Sequence, residues 1–447
     1  MFLPLSDLLY RERRLLIEHN TNNYDAHSSH PSWSWRQGLI LLSIIIAGEM
    51  IFTLPFHVAR YFRPTLVNAL GISHGGLGDA FAVYGIFAFL SYFPGGLLAD
   101  RYSARKLMSI SLAATAVGGL YFVTLPTPLG LSVLFGFWGV TTILLFWSAM
   151  IKATREWGGL ERQGRAFGLL DGGRGLLGAT AGMIGTIILV QLGADKLEVK
   201  TLADRETAIQ GIILYYSFLT FVASIITWIV IPDTKPNHGH LHSHPLRDMR
   251  QVLKNPTAWF QAMIVFTAYC MYRGLDYYSI YMTDVVGLTE IQSSRLISLA
   301  TYLRPVAAIL TGFLADRLTT RSTLAGLFLI LVFSYAVQVI MGVTVIASSI
   351  IIVTVSVTFF MTYALRGVYF ALFEETNIAG HRTGITAGLV SLVGFTPDIF
   401  FNSLFGRMLD AQIPEIAFRN IFTILGAMSI LGLTAAVMIK QNSGKTT

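Results

Sequence analysis

Stretches of about 20 apolar residues recur along the whole chain, and each is long enough to cross roughly 30 Å of hydrocarbon as a single helix. They fall near 37–59, 77–98, 106–125, 129–152, 166–192, 209–231, 258–282, 292–314, 322–343, 346–372, 385–406 and 417–439, which predicts twelve membrane spans. Hydrophobic residues make up 53% of the sequence and charged residues only 13%, with a mean hydropathy of +0.60. A chain so poor in charge lacks the polar surface that water requires of a soluble domain.

The net charge is +7, but the basic residues sit in short connections between apolar runs and form no continuous patch, which argues against nucleic acid as a partner. Alternate connections carry Arg101, Arg105 and Lys106, then Lys152, Arg155, Arg162 and Arg165, then Lys235, Arg247, Arg250 and Lys254, and later Arg317, Arg321 and Arg382. The opposite connections near 126–129 and 344–346 hold no Lys or Arg. The positive-inside rule then places both termini in the cytoplasm of a multi-pass protein of the bacterial inner membrane. Residues 1–36 show no short apolar stretch ending in a cleavage site, so the first span is expected to act as its own insertion signal. The single cysteine, Cys270, lies within an apolar run and reads as a small core residue, which leaves no disulfide within one chain and no cysteine metal cluster.

An internal repeat is the most informative pattern. Gly95-Gly-Leu-Leu-Ala-Asp100-Arg101-Tyr-Ser-Ala-Arg105 returns as Thr311-Gly-Phe-Leu-Ala-Asp316-Arg317-Leu-Thr-Thr-Arg321, 216 positions later. The same interval carries Gly71 onto Gly287, and an interval of 220 carries Arg162-x-Gly164-x3-Gly168 onto Arg382-x-Gly384-x3-Gly388. Three landmarks at nearly constant spacing indicate duplicated halves. The parsing is a segment 1–36, a first half 37–232, a polar linker 233–257 with Pro236, Pro245 and Pro256, a second half 258–440 and a tail 441–447.

The repeated Gly-x-Leu-Ala-Asp-Arg segment resembles the signature of the major facilitator superfamily, which bears it between helices two and three and again between eight and nine. The resemblance implies an all-α membrane fold of twelve helices in two pseudo-symmetric six-helix bundles. It also implies a secondary transporter without a cofactor, working as a monomer in the lipid bilayer. Gly96 and Gly312 permit close helix approach, while Asp100, Arg101, Arg105, Asp316, Arg317 and Arg321 are expected to latch the outward-facing state through charge-assisted bonds. The stretch Tyr269-Cys-Met-Tyr-Arg273-Gly274-Leu275-Asp276-Tyr277 resembles helix seven of the organophosphate:phosphate antiporters, as does Glu161-Arg162-x-Gly164 before helix five. In that branch an arginine of helix one faces an arginine of helix seven and the two grip an oxyanion. Arg273 is the implied helix-seven member. For helix one the Val58-Ala59-Arg60 string favours Arg60, whereas counting back from Gly71 favours His57, so both are candidates.

An ionisable side chain inside a span costs several kcal/mol unless paired or hydrated, so such groups mark a water-filled path or a buried pair. Glu49, Asp171, Arg174, Arg273, Asp276, Arg304, Arg366 and Asp398 qualify, whereas the interiors of spans three, six, nine and twelve hold no charge. Asp171 and Arg174 share a helix face, as do Arg273 and Asp276, so each arginine either pairs locally or meets solute. Arg304 precedes Pro305, where a hinge is expected, and Arg366 is placed near a span end, where snorkelling accounts for it. Glu49 is the leading proton site, with Asp171, Asp276 and Asp398 as further candidates, because burial raises a carboxyl pKa and a nearby arginine lowers it.

Tyr269, Tyr272 and Tyr363 offer ring faces and hydroxyls to a solute, while Tyr277, Tyr278 and Tyr281 read as interfacial anchors. Gly172, Gly173, Gly175, Gly178 and Gly182 serve close packing, since no Lys-Ser/Thr of a phosphate loop follows them. His238, His240, His242 and His244 alternate in the linker and read as a solvated stretch with no defined metal site. No nucleophile and base stand together, so an enzyme is not expected. The resulting expectation is alternating access for a small anionic solute, coupled to a proton or a counter-anion. A proton-driven exporter of amphipathic compounds and a non-transporting solute sensor are the alternatives.

Overall fold

The computed structural model describes residues 35–159, 163–192, 201–233, 251–341, 348–369, 372 and 383–439. The histidine-bearing part of the linker, Arg162, Arg382 and the side chain of Asp316 lie outside them. The chain divides into the units Met1–Leu39 and Ile40–Thr447. In the first, residues 35–39 are helical and the Arg36 guanidinium lies over the Trp35 ring at 5.5 Å.

The described residues form twelve helical passes. These are α1 (Trp35–Leu70), α2 (His74–Arg101), α3 (Ala104–Phe122), α4 (Pro128–Gly158), α5 (Gln163–Leu192), α6 (Leu202–Val230), α7 (Pro256–Gly274, prolonged by short turns to Val285), α8 (Glu290–Thr301 and Leu303–Arg317), α9 (Thr320–Met341), α10 (Ser348–Val368), α11 (Thr383–Gly394 and Pro397–Ala411) and α12 (Pro414–Met438). Among the described residues, ten helices are long and apolar enough to span a membrane by length and composition alone. The outer faces of α3, α6, α9 and α12 expose Val117, Phe218, Phe333 and Val437, which only a lipid solvent tolerates in such continuity.

Local chemistry sets the helix ends. Thr201 and Thr289 begin α6 and α8 with capping boxes completed by Asp204 and Gln292. Thr127 and Asn255 cap α4 and α7 just ahead of Pro128 and Pro256, whose missing N–H would be unpaired there anyway. Gly71 and Gly287, the repeat partners, stop α1 and α7 with φ of +60° and +79°, a conformation that side chains with a Cβ resist.

The first span runs well beyond the expected end at 59. A π-helical segment at Thr53–His57 takes up Pro55, and the helix goes on past a non-helical Phe62 and past Pro64 to Leu70. A proline removes one backbone hydrogen bond but does not end a helix that tertiary contacts hold. The extension draws Arg60 and Arg63 into the protein, at 2% and 0% exposure. Tyr277, Tyr278 and Tyr281 are likewise buried at 1% each and are not interfacial anchors: they pack on Phe405, Phe359 and Phe418 of α11, α10 and α12. Helix α8 is interrupted at Tyr302, two residues before Arg304-Pro305.

The two halves meet along α2 with α11 and α5 with α8, with α1 against α7 and α8 between them. Gly85 of α2 lets the Asp398 backbone approach so closely that an added Cβ would stand 2.5 Å from its carbonyl carbon. The contacts of α2 with α11 run from Gly75 beside Arg407 down to the stacked rings of Tyr92 and Phe395 at 5.9 Å.

Candidate functional site

Where α1, α5, α7, α8, α10 and α11 converge, nine charged side chains share one interior. Five are arginines: Arg60, Arg174, Arg273, Arg304 and Arg366. Four are carboxylates: Glu49, Asp171, Asp276 and Asp398.

The first group surrounds the contact of α1 with α7. Arg60 Nε donates to Asp276 Oδ1 at 2.5 Å and Arg60 Nη1 donates to the Tyr272 hydroxyl at 2.9 Å. Asp276 turns its other oxygen to Arg273 Nη1 at 3.3 Å, so a single carboxylate bridges the two arginines that sequence had singled out. Arg273 is held further by Asp398 Oδ1 of α11 at 2.5 Å and donates to the Tyr269 hydroxyl at 2.6 Å, which itself donates to Asp398 Oδ2 at 2.9 Å. Its guanidinium lies 4.0 Å from the centre of the Phe56 ring. Each arginine therefore has a carboxylate and an aromatic face, the combination that makes a desolvated guanidinium tolerable.

The second group is centred on Glu49 of α1. Arg174 of α5 reaches Glu49 Oε2 at 3.2 Å, Arg304 of α8 reaches Oε1 at 3.5 Å and His57 Nε2 stands 3.4 Å from Oε1. Arg304 also binds Asp171 Oδ1 at 2.6 Å. Asp171 and Arg174 thus look away from each other, each toward another helix, and do not form the local pair that their spacing allowed. Cross-helix geometry wins because Gly175 opens the surface of α5 to Arg304: a Cβ there would come within 2.8 Å of Arg304 Cγ. Gly178 leaves room for the Glu49 carboxyl and the His57 ring in the same way. His57 Nδ1 is buried and meets no hydrogen-bond partner among the described residues.

Arg366 departs furthest from expectation. It does not snorkel: its guanidinium sits 3.8 Å from the centre of the Tyr272 ring, facing the interior. Among the described residues it makes no ion pair, and its Nε has no hydrogen-bond partner. Tyr272 thus carries Arg60 on one contact (4.4 Å) and Arg366 on another, and Tyr363 stands against it at 6.4 Å.

The repeated Asp-Arg segments are less engaged. Arg105 pairs with Asp233 at 2.8 Å just beyond α6, Lys152 Nζ donates to the Ala99 carbonyl at 2.7 Å, and Arg321 donates to the Val437 carbonyl. Asp100 and Arg101 are exposed and make no ion pair among the described residues, and Arg317 is exposed. Gly96 and Gly312 meet nothing within 4 Å of an added Cβ, so neither sits at a close helix approach in this conformation. Cys270 is buried. Among the described residues no group of three or more metal-ligating side chains occurs.

Sequence reading missed Arg63, which follows the extension of α1, and the pair of α2 and α11 residues at the Gly71 end: Asp79 with Arg407 at 3.0 Å. It also missed Glu290, which accepts from Thr65 at 2.6 Å and pairs with Arg205 at 2.7 Å. Arg63 and Pro64 were readable as a charge and a kink inside one amphipathic helix, had the span not been cut at the drop in hydropathy.

Comparison with known proteins agrees with this architecture. The inner membrane protein YqcE of Escherichia coli (strain K12) is 27% identical over 419 residues, covering 90% of this chain and 93% of its own. The inner membrane protein YihN of the same organism is 25% identical over 416 residues, covering 89% and 93%. Among solved structures, the nucleoside transporter NupG superposes with a TM-score of 0.65 at 12% identity, covering 91% of this chain and all of its own. An inward-facing, unoccupied bacterial homologue of the human lysosomal transporter Spinster gives 0.65 at 13%, covering 92% and 96%. The family model of the Major Facilitator Superfamily matches residues 39–397. With twelve helical passes, an internal repeat and that match over most of its length, the chain belongs to the Major Facilitator Superfamily and is a multi-pass membrane transporter, not an enzyme.

Proposed function

We propose that this protein is a secondary active transporter of the inner membrane, with both termini cytoplasmic, that moves a small organic anion bearing a phosphate or carboxylate by alternating access. The observation that carries the reading is the imbalance of the central cluster: five arginines face four carboxylates, and Arg366 forms no ion pair among the described residues. An unpaired guanidinium in a low-dielectric interior attracts an anion, and its planar fork suits the two oxygens of a carboxylate or phosphate. Tyr272, Tyr363 and Tyr269 supply ring faces and hydroxyls beside it. The resemblance of the Arg273 segment to the organophosphate:phosphate antiporters supports the same class of solute.

The carboxylates suggest how transport is energised. Asp276, Asp398 and Glu49 hold the arginines while no solute is present, so an arriving anion competes with them for the same guanidinium groups. A carboxylate that gives up its arginine to the solute needs another partner, and a proton can serve as one. Glu49, between two arginines and His57, is the best placed to take one up, which favours proton symport; exchange for a second anion uses the same competition without net proton movement.

The α2–α11 contacts and the pairs Asp79–Arg407 and Arg205–Glu290 lie at the end of the molecule where α1 and α7 stop. With cytoplasmic termini that end is periplasmic, so the conformation is closed outward. Exposed Asp100 and Arg101 fit the same state, in which the repeated Asp-Arg latch is released. The test is a thermal-stabilisation screen of the purified protein with phosphorylated and carboxylated metabolites, repeated on Arg366→Gln and Arg273→Lys. An anionic ligand that stabilises the wild type and is weakened by both changes supports the reading; a best ligand that is cationic or indifferent to both overturns it.

A further inference from the structure

Arg63 stands apart among the described buried charges. It is fully buried, at 0% exposure, and none of its three guanidinium nitrogens has a hydrogen-bond acceptor among the described residues. It lies against Tyr277, whose ring centre is 4.3 Å from Cζ. A ring face offsets only a part of what a buried guanidinium loses in leaving water, and an ion in that position needs an anion or several acceptors.

The surroundings offer it no free carboxylate. The Tyr277 hydroxyl donates to the Asn402 backbone carbonyl at 2.8 Å, and the Asn402 Nδ2 is buried without a partner among the described residues. His74, at the start of α2, has a buried Nδ1 with no hydrogen-bond partner among the described residues. The carboxylates of this region are engaged elsewhere. Asp410 accepts from the backbone N–H groups of His74 and Gly75 at 2.9 and 2.8 Å. Asp79 is bound by Arg407 and Ser403, and Asp276 by Arg60 and Arg273.

From this we infer that Arg63, Tyr277 and the free amide of Asn402 form a second anion site, separate from the central cluster, at the contact of α1, α7 and α11. Its ligand is a small inorganic anion of the halide or phosphate type, since the guanidinium has no exposed edge through which a metabolite-sized solute reaches it in this state. Bound there, the anion neutralises Arg63 and joins α1 of one half to α7 and α11 of the other, so it stabilises the closure at the Gly71 end. The site does not depend on the proposed solute: it lies one helical turn beyond Arg60, uses no residue of the central cluster, and stands if transport of organic anions is disproved.

The experiment uses the purified full-length protein in detergent with sodium gluconate as the background salt. Gluconate is replaced stepwise by chloride, bromide or inorganic phosphate while the unfolding midpoint is followed. The wild type should show a saturable rise with at least one of these anions. Arg63→Gln should remove the rise or shift half-saturation about tenfold or more, the loss expected for one charge-assisted contact. Arg63→Lys should keep a weaker response to chloride and bromide. No rise with any anion, or an unchanged rise in Arg63→Gln, would overturn the inference. Should Arg63→Gln fail to fold, crystals of the wild type grown in bromide decide the matter. An anomalous peak within hydrogen-bonding reach of the Arg63 guanidinium supports the site, and a clean map there refutes it.

Discussion

Arg60 and Asp276 lie 216 positions apart, the interval that separates Gly71 from Gly287 and Asp100 from Asp316, and their side chains meet at 2.5 Å. Each occupies in its own half the place that the other occupies in the second half. Residues related by a pseudo-twofold axis touch only when both lie beside it, so this pair marks the axis and fixes α1 against α7. Duplication placed like positions face to face; divergence then gave them opposite charge. His57 and Arg273 are related by the same interval, so this second pair sets an imidazole in one half against a guanidinium in the other.

The axis pair should behave as a buried ion pair. Removing one partner strands the other, so Asp276→Leu should lower stability by about 3–5 kcal/mol, whereas the double variant Arg60→Leu with Asp276→Leu should recover most of it. Thermal unfolding in detergent of the two single variants and the double one measures this. A double variant as damaged as the sum of the singles would show that the residues act independently.

Glu49 is shared by Arg174, Arg304 and His57, so its neutral amide should break the link between protons and solute without closing the cavity. Glu49→Gln in proteoliposomes should retain solute counterflow but lose acceleration by an imposed pH gradient. An undiminished response to the gradient would take Glu49 out of the coupling step.

Close approach of α2 to α11 depends on Gly85, where any side chain meets the Asp398 backbone. Gly85→Leu should therefore hold the Gly71 end open. With an introduced Asn402→Cys as reporter, labelling by an impermeant maleimide from the outer side should rise several-fold over the glycine background, and Cys270, being buried, contributes little. Equal labelling in both backgrounds would mean that this contact does not gate access.

The Asp79–Arg407 pair closes the same end but is half in solvent, with side-chain exposures of 49% and 64%. Asp79→Asn should cost no more than about 1 kcal/mol in stability, and less at high salt, because exposed pairs are screened. A large loss that salt does not diminish would place the pair in a dry environment that its exposure does not suggest.

Much of the fold was written in the apolar runs and in the repeated Gly-x-Leu-Ala-Asp-Arg segment, because lipid admits few structures besides helices and duplication keeps landmarks at a constant interval. The site was legible as a list of charges but not as a set of pairs. Spacing along α5 brought Asp171 and Arg174 onto one face, yet their partners are Glu49 and Arg304, which only the packing of α1 and α8 supplies. Arg63 escaped notice because hydropathy falls where α1 becomes amphipathic, and a run-length criterion ends the span there. Arg366 was placed at the lipid interface because sequence does not tell which way a residue near a helix end faces. Tyr277, Tyr278 and Tyr281 were misjudged for the same reason: tyrosines suit an interface and a polar interior equally well.

On this proposal the central cluster has one arginine more than it has carboxylates, and Arg366 presents the surplus cation to the solute. Equilibrium binding of the best anionic metabolite, compared between wild type and Arg366→Gln at matched stability, tests it most directly. Affinity should be about 10- to 100-fold lower in the variant, as for loss of one charge-assisted contact. Equal affinities, or tighter binding of a lipophilic cation than of any anion, would contradict it.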